Sequence, residues 1–403
     1  MSRVWTSLGV GLGLLVLAVP GWIAYNSRDL PSIDKSGLLL AEGPRLPLDE
    51  NAAVPLAQAA RLLDWPTGAD SMERVRALRD RATRDPAGAR SLVRRNEAAL
   101  EWLRRSMLMP EIEISVAELL PPGKSPEPSP FVLWLWLLEV HNVRGALRMA
   151  EGDHDGAYDD ALLGLSLGAR IHRSRGASLP HAMLAIGLGD SALSQLRALL
   201  RHGTVDRVTA RRLIGAIEAS RLDPDDWARI WAGEYRQVRA MYAEQIQRRG
   251  APGWVPTSYV FHPNRTLQRL ADLYRGLQSN SGVVCDRQQV PQRPRPQSRL
   301  ELLGVVLAPN SVGNILYETM ASPFDEQRYR CDLASFVSAV QAAIALKAHL
   351  GVEGELPVSL SELVPELLDE VPRDGFRGEP LRYARAERAL YLTEGGEPWP
   401  LGF

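Results

Sequence analysis

The densest group of residues that could do chemistry is the short run Asp153-His154-Asp155, with Asp159 and Asp160 one helical turn later. Carboxylate oxygens and an imidazole nitrogen are ligands for divalent metals, so this cluster could bind a metal ion. The same residue types also suit the start of a helix, where acidic side chains interact favourably with the helix dipole. No further ligand lies close enough in the sequence to complete a metal site. We therefore expect a structural role for these residues and no bound metal.

The sequence contains no motif of a known catalytic chemistry. A nucleophile elbow, a Walker loop, a His-Glu-x-x-His helix and a dinucleotide-binding fingerprint are all missing from it. His141 lies in an apolar stretch and is interpreted as a core histidine. The unusual segment that contains His262, Asn264 and Arg265 is the remaining candidate for a ligand pocket. We expect no catalytic residue and no cofactor.

Composition excludes a partner that would need a strong electrostatic field. The formal net charge is −1 over 403 residues, so no overall positive field attracts nucleic acid. The cysteines, Cys285 and Cys331, fit no metal or redox spacing. In an oxidising compartment they could form one disulfide, whereas in the cytoplasm they would remain two thiols. We predict the disulfide if the body lies outside the cytoplasm.

The N-terminal segment predicts an attachment to a membrane. Residues 4–27 carry no charged side chain, and about 20 apolar residues are enough to cross a bilayer as a helix. A signal peptide cleaved after Val16-Leu17-Ala18 is the alternative. Arg3 lies before the apolar run, so the positive-inside rule places the N-terminus in the cytoplasm. We therefore expect a single-pass protein of the bacterial inner membrane with its body in the periplasm.

The hydrophobic pattern predicts a mainly α protein. It is organised as an N-terminal transmembrane helix, a body of helical hairpins and a small C-terminal α+β module with a β-hairpin. The expected segments are an anchor at 1–28, a tether at 29–48, an α-helical body at 49–279, a Pro/Gln/Arg-rich loop and connector at 280–321, and the C-terminal module at 322–403.

One helical hairpin has a recognisable local pattern. A helix ends near Ala150, the run that begins Glu151-Gly152-Asp153 forms a turn, and Gly156-Ala157 opens the next helix. This arrangement resembles a tetratricopeptide helix pair, in which small residues allow the helices to approach closely. The repeat period of roughly 34 residues is not found, so the resemblance is to one hairpin and not to an array.

The C-terminal segment carries clear helix, turn and strand signals. Ser322-Pro323 is typical of a helix start and leads into a long helix over 323–349. Ser359-Leu-Ser-Glu362 is a capping box, which predicts a second, short helix that buries apolar residues of 360–368. Alternating apolar residues over 381–392 predict a β-hairpin.

These last elements resemble the globular part of the major pseudopilins of type II secretion, and also the tail of a group of uncharacterised, membrane-anchored bacterial envelope proteins. The matching residues are Gly354-Glu-Leu-Pro-Val-Ser-Leu-Ser-Glu-Leu-Val-Pro365 and Val371-Pro-Arg-Asp-Gly-Phe-Arg-Gly-Glu-Pro-Leu-Arg-Tyr383. The resemblance implies an envelope protein and no particular activity. Pseudopilins often end in a calcium-binding loop, but here Glu394 and Glu397 are the only acids of the closing segment. We therefore expect no calcium site.

Two classes of function remain open. The first is a non-catalytic scaffold that is anchored in the membrane through residues 4–27 and binds a protein partner in the cell envelope. The second is an enzyme or a ligand-binding protein whose site is assembled from distant residues of the helical body. A deep pocket lined by converging polar side chains would favour the second class.

Overall fold

The computed structural model describes residues 28–38, 45–66, 68, 70–115, 129–248, 261–288, 310, 323–392 and 398–403, with the backbone alone for 243–248 and 323–327. The predicted anchor at 4–27, most of the 280–321 loop, and Glu394 and Glu397 lie outside the described residues.

The described chain is mainly helical, as the hydrophobic pattern predicts, with a few short strands in one antiparallel sheet. The helices in chain order are α1 (Ala53–Arg61), α2 (Ser71–Arg81), α3 (Pro86–Arg95), α4 (Glu97–Leu108), α5 (Pro130–Ala150), α6 (His154–His172), α7 (Leu179–His202), α8 (Arg207–Ala219), α9 (Pro224–Arg248), α10 (Pro263–Ser279) and α11 (Pro323–Glu353). The strands are β1 (Arg382–Ala384), β2 (Ala389–Tyr391) and β3 (Trp399–Pro400).

The chain divides into two compact units and passes between them at several points, one of which lies inside α9 after Ile230. The described residues of the larger unit are 45–230, 281–288 and 323–403 with the gaps given above. Those of the smaller unit are 28–38, 231–248, 261–280 and 310. The C-terminal elements, from Pro323 onward, therefore belong to the same unit as most of the helical body and do not form a unit of their own.

Helices α6 and α7 lie at the centre of the larger unit. One apolar cluster joins them to α8, α11 and the sheet through residues such as Leu165 and Leu193. A second cluster joins them to α1–α5 through residues such as Ile171 and Leu188. Every one of these four side chains is at most 6% exposed. The α6–α7 pair is thus the wall that both apolar clusters share.

Helices α5 and α6 are connected by a three-residue turn, 151–153, so α6 begins two residues before the predicted start at Gly156. Gly152 in this turn has a φ of +85°, a conformation that side chains other than glycine rarely adopt. Asp153 follows as the N-cap residue, and its Oδ1 accepts a hydrogen bond from the Gly156 N–H at 3.0 Å. Local sequence therefore fixes this turn.

Helix α11 is buried on most sides instead of showing one apolar face. Within the described residues, its segment Arg328–Glu353 is long and apolar enough to span a membrane, but 67% of that window is buried inside the protein. Residues Val340, Ile344 and Leu346 are completely buried. Its length and hydropathy are thus those of a helix in the core of this unit.

After α11 the chain forms a capped turn and the small sheet. The capping box of Ser359 and Glu362 is present, but it begins a single 3₁₀ turn, Leu360–Leu363, instead of the predicted longer helix. Pro365 explains the early end, because proline has no N–H to continue the helical hydrogen bonds. Strands β1 and β2 pair with Tyr383 opposite Leu390, and β3 adds a third strand with Trp399 opposite Leu390.

In the smaller unit, the first part of the predicted tether contacts α10. The Asp34 carboxylate pairs with Arg275, and the Asp34 N–H donates to Gln268 at 2.9 Å. Leu38 is completely buried. Residues 28–38 therefore form part of a folded unit and are not a free linker.

Replacing Leu367 by alanine tests whether the segment after α11 is part of the core. Leu367 is 5% exposed and belongs to the cluster shared with α6–α8. We expect a loss of about 2–5 kcal/mol in the free energy of unfolding, because the substitution leaves a cavity. Leu108, which is 82% exposed, provides the matched control, and its replacement by alanine should change stability by at most about 0.5 kcal/mol. Equal effects at the two positions would show that the segment is not packed in the core.

Candidate functional site

The predicted metal cluster is used for helix capping and ion pairs. Asp153 caps α6, as described above, and lies 3.6 Å from Arg148. Asp155 Oδ1 accepts from Arg212 Nη2 at 2.9 Å, and Asp159 pairs with the same guanidinium. His154 is only partly buried. In the described part of the chain, no group of three histidine, cysteine or acidic residues has the geometry to hold a metal ion.

The adjacent residue, Asp160, forms a buried ionic network between α5 and α6. Its carboxylate accepts two hydrogen bonds from Arg144, at 2.7 and 3.0 Å, and one from Arg148 at 3.1 Å. His141 Nε2 donates to the Asp160 carbonyl oxygen at 2.7 Å, and its Nδ1 accepts from Arg144 at 3.0 Å. Burial lowers the pKa of His141 to about 4, so the ring is neutral near pH 7. His141 is therefore a hydrogen-bonded core histidine, and its position gives it a structural role.

The second group of predicted candidates holds residues 29–30 in the smaller unit. The backbone N–H groups of Asn264 and Arg265 donate to the carboxylate of Asp29, at 2.8 and 2.9 Å. The Asn264 side chain donates to the carbonyl of Leu30 at 2.6 Å. His262 is completely buried, and its N–H donates to Asn310 at 2.7 Å. An acidic side chain at a helix N-terminus is stabilising, so these contacts fix the start of α10.

Cys285 and Cys331 are joined by a disulfide, with Cα atoms 6.4 Å apart. Cys285 lies in a 3₁₀ turn, Cys285–Arg287, and Cys331 is buried in α11. The Asp286 N–H also donates to the Phe376 carbonyl at 3.0 Å. The bond thus fastens the segment 281–288 to α11 within the larger unit.

Beside this disulfide lies an apolar cleft of about 210 Å³. Its floor consists of small residues where α6 and α7 meet, namely Gly168, Ala169, Ala185 and Gly189. Apolar side chains of α6, α7, α8 and α11 form the walls, and Trp227 from the start of α9 lies at one side. The cleft is smaller than typical drug-sized pockets of about 300–1,000 Å³, so it suits a narrow apolar occupant.

The charged side chains that line the cleft are Arg221 and Arg330, and no acidic residue is among the described lining residues. Arg221 has a counter-charge, since its Nε lies 3.3 Å from a Glu218 carboxylate oxygen. Arg330 donates instead to two backbone carbonyls, those of Ser281 and Val283. Burial lowers the pKa of Arg330 from its ordinary value, because the charged form loses hydration there. The site is therefore apolar with a net positive charge.

A neutral histidine lies behind the Trp227 wall. The rings of His172 and Trp227 meet edge to face, with centroids 4.6 Å apart. Both ring nitrogens of His172 are buried and have no hydrogen-bond partner within the part of the chain that the structure describes. Burial and the nearby charges of Arg173 and Arg229 lower the pKa of His172 to about 3. The neutral imidazole packs here as an aromatic ring against the tryptophan.

Comparison of the chain with protein-family models, with curated proteins and with solved structures finds no match. The function must therefore be argued from the site.

Sequence reasoning did not find this cleft. Its residues come from positions as distant as Gly168, Trp227 and Arg330, so no local motif connects them. The one available signal was the occurrence of glycines inside apolar helices, at Gly168 and Gly189, where glycine costs helix stability and usually has a packing reason.

The pH dependence of stability tests the buried state of His172. Unfolding raises the pKa of His172 from about 3 to about 6.5. Between about pH 3 and about pH 6.5, the unfolded chain therefore binds more protons at this residue than the folded chain does. The free energy of unfolding should therefore fall as the pH is lowered from 6.5, by at most about 1.4 kcal/mol per pH unit from this residue. His141, whose pKa is also lowered to about 4, contributes with the same sign.

Denaturant titrations of wild type and His172→Phe between pH 7 and pH 4 measure this effect. The phenylalanine variant should show a shallower slope, because it removes the residue that takes up the proton. His202→Phe is the control, since His202 is exposed, and it should keep the wild-type slope. If the free energy of unfolding changed equally with pH in the wild type and in His172→Phe, His172 would not be buried and neutral in the folded protein.

Proposed function

We propose that the protein is a non-catalytic binding protein of the bacterial envelope, whose helical body holds a small apolar ligand in the cleft between α6, α7 and α11. The observation that carries this proposal is the cleft itself, with its floor of small residues and its cationic edge. Ligand sites are typically concave, mostly apolar and supplied with a few polar groups. This cleft has each of these features.

The polar groups elsewhere support binding over catalysis. Of the side chains that the sequence singled out, Asp153 caps a helix, Asp155 forms an ion pair and His141 is buried and hydrogen-bonded. A catalytic base needs an accessible proton acceptor near the reacting group, and the described residues that line the cleft include neither an acidic residue nor a histidine.

The proposed location is the periplasmic side of the inner membrane, with residues 4–27 as the anchor. The disulfide Cys285–Cys331 supports this location, because disulfides persist in oxidising compartments and are rare in the cytosol. We also propose that the C-terminal elements are related to the pseudopilin globular part and that α5 and α6 form a tetratricopeptide-like pair. The order of long helix, capped turn and antiparallel strands supports the first relation.

A protein-scaffold function is the second candidate, and one groove favours it. The groove has a volume of about 790 Å³ and lies between α7, α11 and the sheet. It is lined by aromatic side chains, including Phe336, Trp399 and the half-exposed Tyr329. Arg197 stacks on the Trp399 ring at 4.2 Å. Aromatic and arginine side chains are enriched at protein interfaces.

Filling the cleft tests the ligand-binding proposal. A Cβ atom on Gly189 would have Leu333 at 3.6 Å as its nearest neighbour, so Gly189→Leu places a side chain into the cleft without a backbone clash. The full-length protein in lipid nanodiscs should bind an eight-carbon alkyl ligand, 1-octanol or octanoate. The variant should weaken that binding by at least about tenfold, which corresponds to 1.4 kcal/mol.

Gly215→Leu is the matched control, because Gly215 lies in α8 with open space around its Cα. It should leave ligand affinity at the wild-type value, and both variants should retain the wild-type melting temperature or raise it. Binding measured by calorimetry, with empty nanodiscs subtracted, decides the result. If the wild type bound neither 1-octanol nor octanoate, the proposed function would be rejected.

A further inference from the structure

Arg330, at the edge of the cleft, has donor groups that no described residue of the protein accepts. A guanidinium carries five N–H donors. Arg330 uses one on the Ser281 carbonyl and one on the Val283 carbonyl, the latter at 3.1 Å. Within the described part of the chain, the other three N–H groups have no hydrogen-bond acceptor. The two carbonyl contacts hold the guanidinium plane in place, so its free donors are pre-positioned.

The charge of Arg330 is also uncompensated by the described side chains. None of the described residues that line the cleft is acidic, and the other lining arginine, Arg221, is already paired with Glu218. The Trp227 ring, 6.0 Å from the guanidinium carbon, offers only a weak cation–π attraction. A partly buried charge without a counter-ion is costly, and the same loss of hydration on burial lowers the pKa of Arg330.

We propose that the cleft binds a monocarboxylate with an unbranched apolar chain, and that Arg330 receives the carboxylate. A planar carboxylate matches the parallel N–H groups of a guanidinium. A single negative charge matches the one cation without a counter-charge among the described lining residues, whereas a phosphate dianion would require a second one. The small lining residues Gly168, Ala169, Ala185 and Gly189 leave space for an alkyl chain in the cleft, beside the contact between α6 and α7. This inference rests on the proposed function and adds the ligand's chemical class.

The test compares octanoate with 1-octanol, which has the same chain without the charge. Calorimetry on the full-length protein in nanodiscs should give at least about tenfold tighter binding of octanoate. Arg330→Met keeps an apolar side chain of similar length but removes the donors. It should lower octanoate affinity by about tenfold or more and leave 1-octanol affinity unchanged, so that the preference disappears.

Two further variants separate recognition from folding. Arg330→Lys keeps the charge without the planar donor pair, and it should retain part of the preference for octanoate. Arg221→Met removes the other lining arginine and should retain all of it. Binding of 1-octanol reports an intact cleft, so a variant that binds neither ligand has lost the fold. If Arg330→Met behaves in this way, the preference of Arg330→Lys for octanoate over 1-octanol decides whether Arg330 binds the carboxylate.

Several outcomes would overturn the inference. Equal affinities of the wild type for octanoate and 1-octanol would reject carboxylate recognition and leave the proposed function standing. Tighter binding of octyl phosphate than of octanoate would reject the monocarboxylate class. If Arg221→Met lost the preference for octanoate and Arg330→Met kept it, the carboxylate would be bound by Arg221 and not by Arg330. Failure of every alkyl ligand to bind would reject the proposed function itself.

Discussion

The larger unit depends on the close approach of α6 and α7, which small residues make possible. A Cβ atom on Gly168 would lie 2.9 Å from the Ala185 carbonyl oxygen, and one on Gly164 would lie 3.0 Å from the Ala192 Cβ. Such distances leave no room for a larger side chain at the helix contact. Because residues of α6 and α7 belong to both apolar clusters, the spacing of this pair sets how α1–α5 pack on one side and α8 and α11 on the other.

The same small residues account for the cleft. Helices that meet through glycine and alanine bury little side-chain volume at the contact, and the space beside the contact must be filled by neighbouring elements or left open. Here α11, the disulfide-linked segment 281–288 and Trp227 surround that space without filling it. Close packing and an apolar cavity with a cationic edge thus have one physical origin, and the binding proposal depends on it.

The sequence predicts those features of the fold that depend on residues close together in the chain, and not those that depend on contacts between distant segments. The capping box at Ser359 was predicted, because it depends on residues a few positions apart. A turn around Gly152 was expected for the same reason, but the cap at Asp153, which starts α6 two residues before Gly156, was not. The shortened helix after Ser359 was missed, although Pro365 carried the signal. The grouping of the C-terminal elements with α6–α8 was also missed, since apolar periodicity shows that a face is buried and not what it packs against.

The cleft was missed for the same reason. The close approach of α7 to Gly168 depends on elements far apart in the chain, and so does the lack of an acidic partner for Arg330 among the described residues. Neither can be derived from neighbouring residues. The candidate clusters at 153–155 and 262–265 drew attention through local density of polar residues. That density reflects capping at the ends of helices, which concentrates the same residue types.

The free energy of unfolding of Gly168→Ala tests the central claim most directly. In an exposed helix, replacing glycine by alanine stabilises by up to about 1 kcal/mol, and Gly215→Ala, with open space around it, should show this gain. At Gly168 the new Cβ meets a backbone oxygen that cannot move aside, so the account predicts a loss of about 1–3 kcal/mol. A gain at Gly168 equal to that at Gly215 would contradict the account.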